Sequence, residues 1–385
     1  MKNIIKLAFI IFTSISFVSA NAGTLSVSGT AKFTYDILSS DSSAAANDLG
    51  KGLGVTNELN FTAAGELDNG WTWNYSMELD PTTTATNTGG AALNDDTKLT
   101  LTTPYGTVGA FISEGGLNAQ MGYSAAAYKA GTDLGIGGVI DPMDIASFNN
   151  LQYHSPAGLI PFGTVFKVAY TPSADTQGSA SDNAQGATTN KAANTVASVS
   201  STTVTSVTAV TAVKDATEYY LETKPIEGLT VKASYIDIGS SISASTDHTQ
   251  YEAGAANAKY AYGPVTVGYG RTYVVPFTPA TAAGSYVIDY VKTTDMSIGY
   301  AVNENLTVSY EKSNSDAFTK TTDATNTVTR VTESQDSQTI QAAYTMGGMT
   351  LALSQSMVDG DGYTKADGAN RVDAKETIFA VTMAF

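Results

Sequence analysis

The chain has 385 residues, 36 acidic and 20 basic side chains, a formal net charge of −16, and no cysteine. The acidic balance excludes a nucleic-acid partner, whose phosphates require Lys and Arg. The missing thiols exclude a disulfide framework, a thiolate metal site and a Cys nucleophile.

In chain order, the first element is a leader. Lys2 and Lys6 form a basic start and Leu7–Val18 an apolar run, followed by small residues at Val18-Ser19-Ala20 and Ala20-Asn21-Ala22. This is the pattern of a secretory signal over 1–20, cleaved after residue 20 or 22. The run is too short to span a bilayer core of about 30 Å. Beyond it no apolar run reaches eighteen residues, so membrane embedding of residues 21–385 has to be by strands.

Strand periodicity begins at once. Leu25, Val27, Ala31, Phe33, Tyr35 and Ile37 fall on one phase, against Ser26, Ser28, Thr30, Lys32, Thr34 and Asp36. The second segment sets Val55, Leu59 and Phe61 against Thr56, Glu58 and Asn60. The third sets Trp71, Trp73, Tyr75, Met77 and Leu79 against Asn74, Ser76 and Glu78. Asn69-Gly70 between these two is turn chemistry. Further strands are expected near 95–103, 107–113, 148–155, 162–171, 215–223, 229–239, 250–261, 265–274, 286–301, 305–313, 333–346, 349–357 and 375–385, sixteen in all.

Connection lengths alternate. Short turns include Pro104-Tyr105-Gly106, Tyr262-Gly263-Pro264 and Gly347-Gly348, while long loops are expected near 38–52, 80–94, 114–147, 172–214, 240–249, 275–285, 314–332 and 358–374. Tight turns on one side and long loops on the other are the habit of outer-membrane barrels, and an even strand count lets the first strand pair the last. Residues 172–214 are low-complexity and are read as a mobile external loop. The other reading is a hairpin continuing the wall, since Val and Thr favour strands. The expected class is therefore all-β, a sixteen-stranded antiparallel transmembrane barrel. Thr377, Phe379, Val381, Met383 and Phe385 carry the apolar phase to the final residue. Tyr35, Trp71, Tyr123, Tyr170, Tyr235, Tyr273 and Tyr310 near strand ends suit membrane interfaces.

Gly65-Glu66-Leu67-Asp68-Asn69-Gly70, Pro104-Tyr105-Gly106-Thr107-Val108-Gly109, Asn149-Asn150-Leu151-Gln152-Tyr153-His154-Ser155-Pro156, Gly263-Pro264-Val265-Thr266-Val267-Gly268 and the terminal Phe385 stand in this order along about 23–385. On these motifs the chain resembles the general porins of Gram-negative bacteria, especially the alphaproteobacterial branch. The resemblance implies a homotrimer of barrels in outer-membrane lipid and a third loop, 114–147, folded into the lumen as a constriction. It also implies recognition of the last strand and Phe385 by the barrel-assembly machinery. The chain departs from many relatives in having only Arg271, Arg330 and Arg371 where they line one pore wall with an Arg cluster.

Taking the apolar phase as lipid-facing puts Lys32, Asp36, Glu58, Glu78, Lys98, Lys167 and Lys232 in the lumen, where charge is solvated. The 114–147 loop carries Glu114, Asp133, Asp141 and Asp144, with Lys129 its only base. These acids facing Lys32 and Lys98 would set a transverse field and favour cations. The functional expectation is passive diffusion of small hydrophilic solutes and ions. The alternative is a closed, poorly conducting barrel with a structural or surface-recognition role. No enzyme site is expected: the two histidines, His154 and His248, stand far apart, and no Ser–His pairing with a nearby acid is evident. No cofactor or metal is expected. Asp359-Gly360-Asp361-Gly362 resembles part of a calcium loop but has no closing Glu.

Overall fold

The computed structural model describes residues 23–40, 50–81, 92–112, 114–133, 136, 139–172, 194–200, 203–209, 213–240, 250–276, 286–322, 328–363 and 373–385. The expected leader lies outside them. The described strands, in order, are β1 (Thr24–Ser40), β2 (Gly50–Glu66), β3 (Thr72–Pro81), β4 (Ala92–Thr103), β5 (Gly106–Ile112), β6 (Asn150–His154), β7 (Val165–Thr171), β8 (Asn194–Ser200) and β9 (Thr203–Ala209). They continue as β10 (Val213–Thr223), β11 (Leu229–Ser240), β12 (Tyr251–Tyr262), β13 (Val265–Val275), β14 (Tyr286–Ala301), β15 (Leu306–Thr322), β16 (Val328–Met346), β17 (Met349–Asp359) and β18 (Asp373–Ala384).

Sixteen of these form the wall. Each pairs antiparallel with its neighbours, β7 pairs directly with β10, and β1 pairs with β18 from Thr30↔Ala384 to Ser40↔Ala374. Gly29 and Phe385 exchange both backbone hydrogen bonds, at 2.9 and 3.0 Å, below the last ladder pair. The sheet is thus closed and leaves no wall edge, which is what lipid demands of backbone polar groups.

The remaining pair, β8 and β9, forms a hairpin inside the low-complexity stretch 172–214, touching β14 at Val199↔Tyr286. Val and Thr supply the strand preference there, as in the second of the two sequence readings. The expected loop 314–332 is mostly wall: β15 runs to Thr322 and β16 resumes at Val328. Its Ser, Thr and Asn residues keep strand alternation with polar groups on both phases, so polarity alone gave no loop boundary. Short turns close as their residues dictate. At the β2–β3 turn, Gly70 takes φ +80°, a conformation costly for other residues, and its N–H bonds the Leu67 carbonyl at 2.8 Å.

The distribution of polarity is inverted relative to a soluble protein. Leu53 is 73% exposed, Leu25 66%, and Leu353 52%, whereas Glu311, Gln341 and Glu218 are at most 2% exposed. Apolar side chains outward and polar ones inward is the arrangement a lipid-embedded barrel requires. Leu353→Lys on the outward face is expected to cost about 2–4 kcal/mol if its level is the bilayer midplane. Folding titrations into lipid vesicles measure this; an unchanged folding free energy would place Leu353 outside the hydrocarbon.

Candidate functional site: the inward loop and the charged inner wall

After β5 the chain turns into the barrel. Among the described residues of 114–148 the regular elements are single 3-10 turns, Gln120–Tyr123, Gly131–Asp133 and Ile145–Ser147. Their backbone groups have no ladder to join, so buried partners must come from the wall. Wall side chains supply them strand by strand. Ala119 N–H donates to Ser234 Oγ of β11 at 2.9 Å, and Asn257 Nδ2 of β12 donates to the Ala119 carbonyl at 2.5 Å. Ala125 N–H donates to Ser297 Oγ of β14 at 2.7 Å, and Ala127 N–H to Ser309 Oγ of β15 at 2.8 Å. Tyr128 N–H donates to Gln341 Oε1 of β16 at 2.9 Å, while Gln341 Nε2 donates to the Lys129 carbonyl at 2.5 Å.

Two carboxylates act as clamps. Glu311 on β15 accepts from Ser124 Oγ at 2.6 Å, Ser297 Oγ at 2.8 Å and Gly131 N–H at 2.6 Å, so it ties down two points of the loop. Glu218 on β10 accepts from Ile145 N–H at 2.8 Å. Between clamps the fit is steric. The Tyr123 backbone lies directly over Gly268, and its ring over Gly270, on β13, where a Cβ on either glycine would collide or crowd. Leu117 of the outgoing limb and Ile145 and Phe148 of the return limb pack with Ile236, Ile238, Val274 and Val291 of the inner wall. Tyr363, from the turn after β17, accepts the Ile140 N–H at 3.0 Å; burial pushes its phenol up to about 12. Burial, together with the nearby Asp295 and Glu311 carboxylates, raises the Tyr123 phenol as well. Tyr123 is therefore a loop anchor, 1% exposed, and not an interfacial ring as its sequence position implied. The loop is irregular, and strand-end counting does not apply to it.

The wall contacts fix the inward phase, and the register then locates each predicted site residue. Thr34 stands opposite Ala380, whose row with Ala352 and Ala343 packs on Ala127 and Tyr128 of the loop. Lys32 and Asp36, two residues either side of Thr34, share that face. Glu58 accepts from Asn60 Nδ2 at 2.6 Å, and Asn60 faces Glu78 across β2–β3, again on the inward phase. Lys98 pairs with Glu114 at 2.5 Å. Lys167 sits 5.2 Å over the Tyr220 ring, and Lys232 lies 3.5 Å from Glu222.

The loop acids divide. Glu114 is held by Lys98. Asp141 accepts from Gln120 Nε2 at 2.6 Å. Asp144 accepts the N–H groups of Leu117, Asn118 and Ala146 at 3.1, 3.1 and 2.9 Å, so its carboxylate pins the two limbs of the loop together. Asp133 closes the second 3-10 turn, and its side chain lies outside the described residues.

Sequence reasoning missed the clamps Glu311, Glu218 and Gln341. Their inward parity and charge were visible, but which inward side chains meet the loop was not. The Gly268-Tyr269-Gly270 spacing was the available signal, since in-strand glycines mark close approach of another backbone. It also missed the basic strip. Lys224 lies 3.3 Å from Glu222, and Lys259 donates to the Ser124 carbonyl at 3.1 Å. With Lys167 and Lys232 they gather four ammonium groups around one carboxylate. Lysines thus form a basic wall in a chain poor in arginine.

A closed strand barrel with apolar exterior, charged interior and a loop strapped inside defines an integral outer-membrane channel protein. A Gram-negative porin model matches residues 7–275, and the chain belongs to that family. No curated protein matches it significantly. Among solved structures it is similar to OmpT of Vibrio cholerae in its trimer form, at 12% identity and TM-score 0.62, covering 95% of this chain and 100% of that one. The outer-membrane channel DcaP of Acinetobacter baumannii also gives 12% and 0.62, over 96% and 99%. An anion-selective porin from Comamonas acidovorans gives 11% and 0.58, over 94% and 100%. At these identities the likeness is one of fold alone.

Proposed function

We propose that the protein is a porin for passive diffusion of small hydrophilic solutes and ions, with 114–147 as its constriction loop and a mild preference for cations. The observation that carries the reading is the lacing of the loop along β10–β16, which leaves the charged inner positions of β1–β3 outside its hydrogen bonds. Asp36, Glu58 and Glu78, with Lys32 among them, oppose Lys167, Lys232 and Lys259 on the other side. Opposed rows of charge in a narrow lumen orient polar solutes and set ion preference. The trimeric OmpT neighbour supports a homotrimer, and the apolar phase that runs through Phe379, Val381 and Met383 to Phe385 is the feature on which recognition by the barrel-assembly machinery is proposed.

A poorly conducting barrel is the second reading, favoured by the apolar packing of Leu117, Ile145 and Phe148 inside the outer half of the lumen. Planar-bilayer recording under a salt gradient separates the two. Stable conductance steps with a cation-side reversal potential are expected. Absence of steps would leave the second reading, and an anion-side reversal would overturn only the charge preference.

A further inference from the structure

Three successive inward pairs link β14 to β15 under the loop. In the upper pair Thr293 faces Ser315, and their hydroxyls bond at 2.7 Å. In the lower pair Ser297 faces Glu311 and donates to its Oε1 at 2.8 Å. Between them Asp295 faces Ser313, and of the three pairs this one alone is open. Both carboxylate oxygens of Asp295 and the Ser313 Oγ are buried without a hydrogen-bond partner, and Asp295 is 1% exposed. On its other side Asp295 faces Gly270 of β13, and the Tyr123 ring lies over that glycine, so the loop roofs the open pair. The Tyr123 phenol lies in the field of three carboxylates, Asp295, Glu311 and Asp141.

An isolated carboxylate is among the costliest groups to bury, and it has to acquire a cation or a proton. No lysine or arginine among the described residues pairs with Asp295. Glu311 adds a second negative charge diagonally across the ladder, and its oxygens are already taken by Ser124, Ser297 and Gly131. The Ser313 hydroxyl has one proton and can serve at most one of the two Asp295 oxygens. A proton on Asp295 would neutralise it and still leave its carbonyl oxygen without a donor. A cation is ligated by both carboxylate oxygens and the hydroxyl together. The donor set also limits the charge of that cation. Among the described residues no three acidic or histidine side chains converge on a metal position, and divalent ions ask for several carboxylates or an ordered water shell. One uncommitted carboxylate beside a hydroxyl matches a single positive charge on a hard ion.

We propose that Asp295 and Ser313 hold a monovalent alkali cation between the barrel wall and the inward loop. Its ligands are Asp295 Oδ1, Asp295 Oδ2 and Ser313 Oγ, and Tyr123 closes the site from the loop side. The ion offsets the repulsion between Asp295 and Glu311, so that Glu311 stays charged for the donors of Ser124 and Gly131. A chain of net charge −16 concentrates such ions around itself. The assignment rests on the packing of the loop against the wall and not on conduction through the lumen.

The test has two arms, both on the full chain in detergent. In the first, the midpoint of heat-modifiable migration is measured in potassium chloride and in N-methylglucamine chloride at equal ionic strength, over a range of pH. Wild type is expected to hold its folded band to a higher temperature in potassium, since an ion that binds only the folded state stabilises it by mass action, and the organic cation is too large for the site. Asp295→Asn is expected to have the same midpoint in both salts. Ser313→Ala, which keeps the acid, is expected to need about tenfold more potassium for the same shift, the factor that one lost contact to a charged group carries. It carries the test if Asp295→Asn does not fold. In the second arm, crystals grown in rubidium chloride are expected to show an anomalous peak beside Asp295 that Asp295→Asn lacks. A wild-type midpoint that follows pH but not the cation gives Asp295 a proton and overturns the proposal. So does a potassium shift that persists undiminished in the folded variants. A rubidium peak that survives Asp295→Asn marks an adventitious ion only, and that result, or no peak in wild type, overturns it as well.

Discussion

Glu311→Ala is expected to free the inward loop and raise single-channel conductance, with added noise and sub-states. One carboxylate, 2% exposed, holds Ser124 and Gly131 and also orients Ser297, which itself receives Ala125. Hydrogen bonds to a charged group contribute about 1.5–3 kcal/mol each, and bonds sharing one acceptor group are lost together. The substitution therefore removes roughly 2–5 kcal/mol of loop attachment, allowing for water that enters the vacated site. Barrel closure does not depend on Glu311, because the β14–β15 and β15–β16 ladders are backbone bonds. Heat-modifiable migration should stay as in wild type while conductance rises. Glu311→Gln keeps one acceptor oxygen and should fall between the two. Conductance and noise unchanged in the alanine variant would mean that Ser309 and Gln341 suffice to hold the loop, and that Glu311 is not its clamp.

How much of this was legible beforehand follows from what each feature depends on. The wall is a local, period-two property. Leu25 to Ile37 and Thr377 to Phe385 announce their faces without reference to anything distant, and the structure pairs these two segments directly. Lys98 and Glu114 are both visible in the sequence as charged candidates, but their 2.5 Å contact depends on how the loop turns in from the wall after β5. Alternation predicts which side of a strand a residue faces and says nothing of what it faces. Asp144 makes the point sharply. As a sequence it is one more acid in an acidic loop; in the fold, three backbone N–H groups occupy it. Irregular backbone needs acceptors, and an acid close in sequence supplies them before any solute does. The hairpin at Asn194–Ala209 was open for another reason: a Ser/Thr/Val/Ala run has strand preference but no alternation of polarity to fix its register.

Gly268→Ala is expected to act in the opposite direction from Glu311→Ala. At Gly268 the wall and the Tyr123 backbone are in such close contact that even one methyl group has no room, and the neighbour it meets is a backbone carbonyl. Rotamer changes cannot relieve a clash with main chain, so either β13 or the loop must move. β13 is held on both sides, by β12 over Glu252↔Val275 to Tyr262↔Val265 and by β14 over Val265↔Tyr300 to Val274↔Val291. The loop is held by side chains alone at this point, Glu311 and Lys259 on Ser124 and Asn257 and Ser234 on Ala119, and it yields first. Overpacking of this kind costs about 1–3 kcal/mol, enough to break the neutral contacts on Ala119 while the Glu311 clamp and the barrel hold. The direction of displacement is set by geometry: away from the wall is into the lumen. Conductance should fall, and larger solutes should be excluded more strongly in liposome-swelling assays. Adding Glu311→Ala to this variant should then restore or exceed wild-type conductance, because a loop pushed inward stays there only while its other clamp holds. If Gly268→Ala instead conducts as wild type does, the loop does not rest on β13, and the constriction must be sought elsewhere along the inner wall.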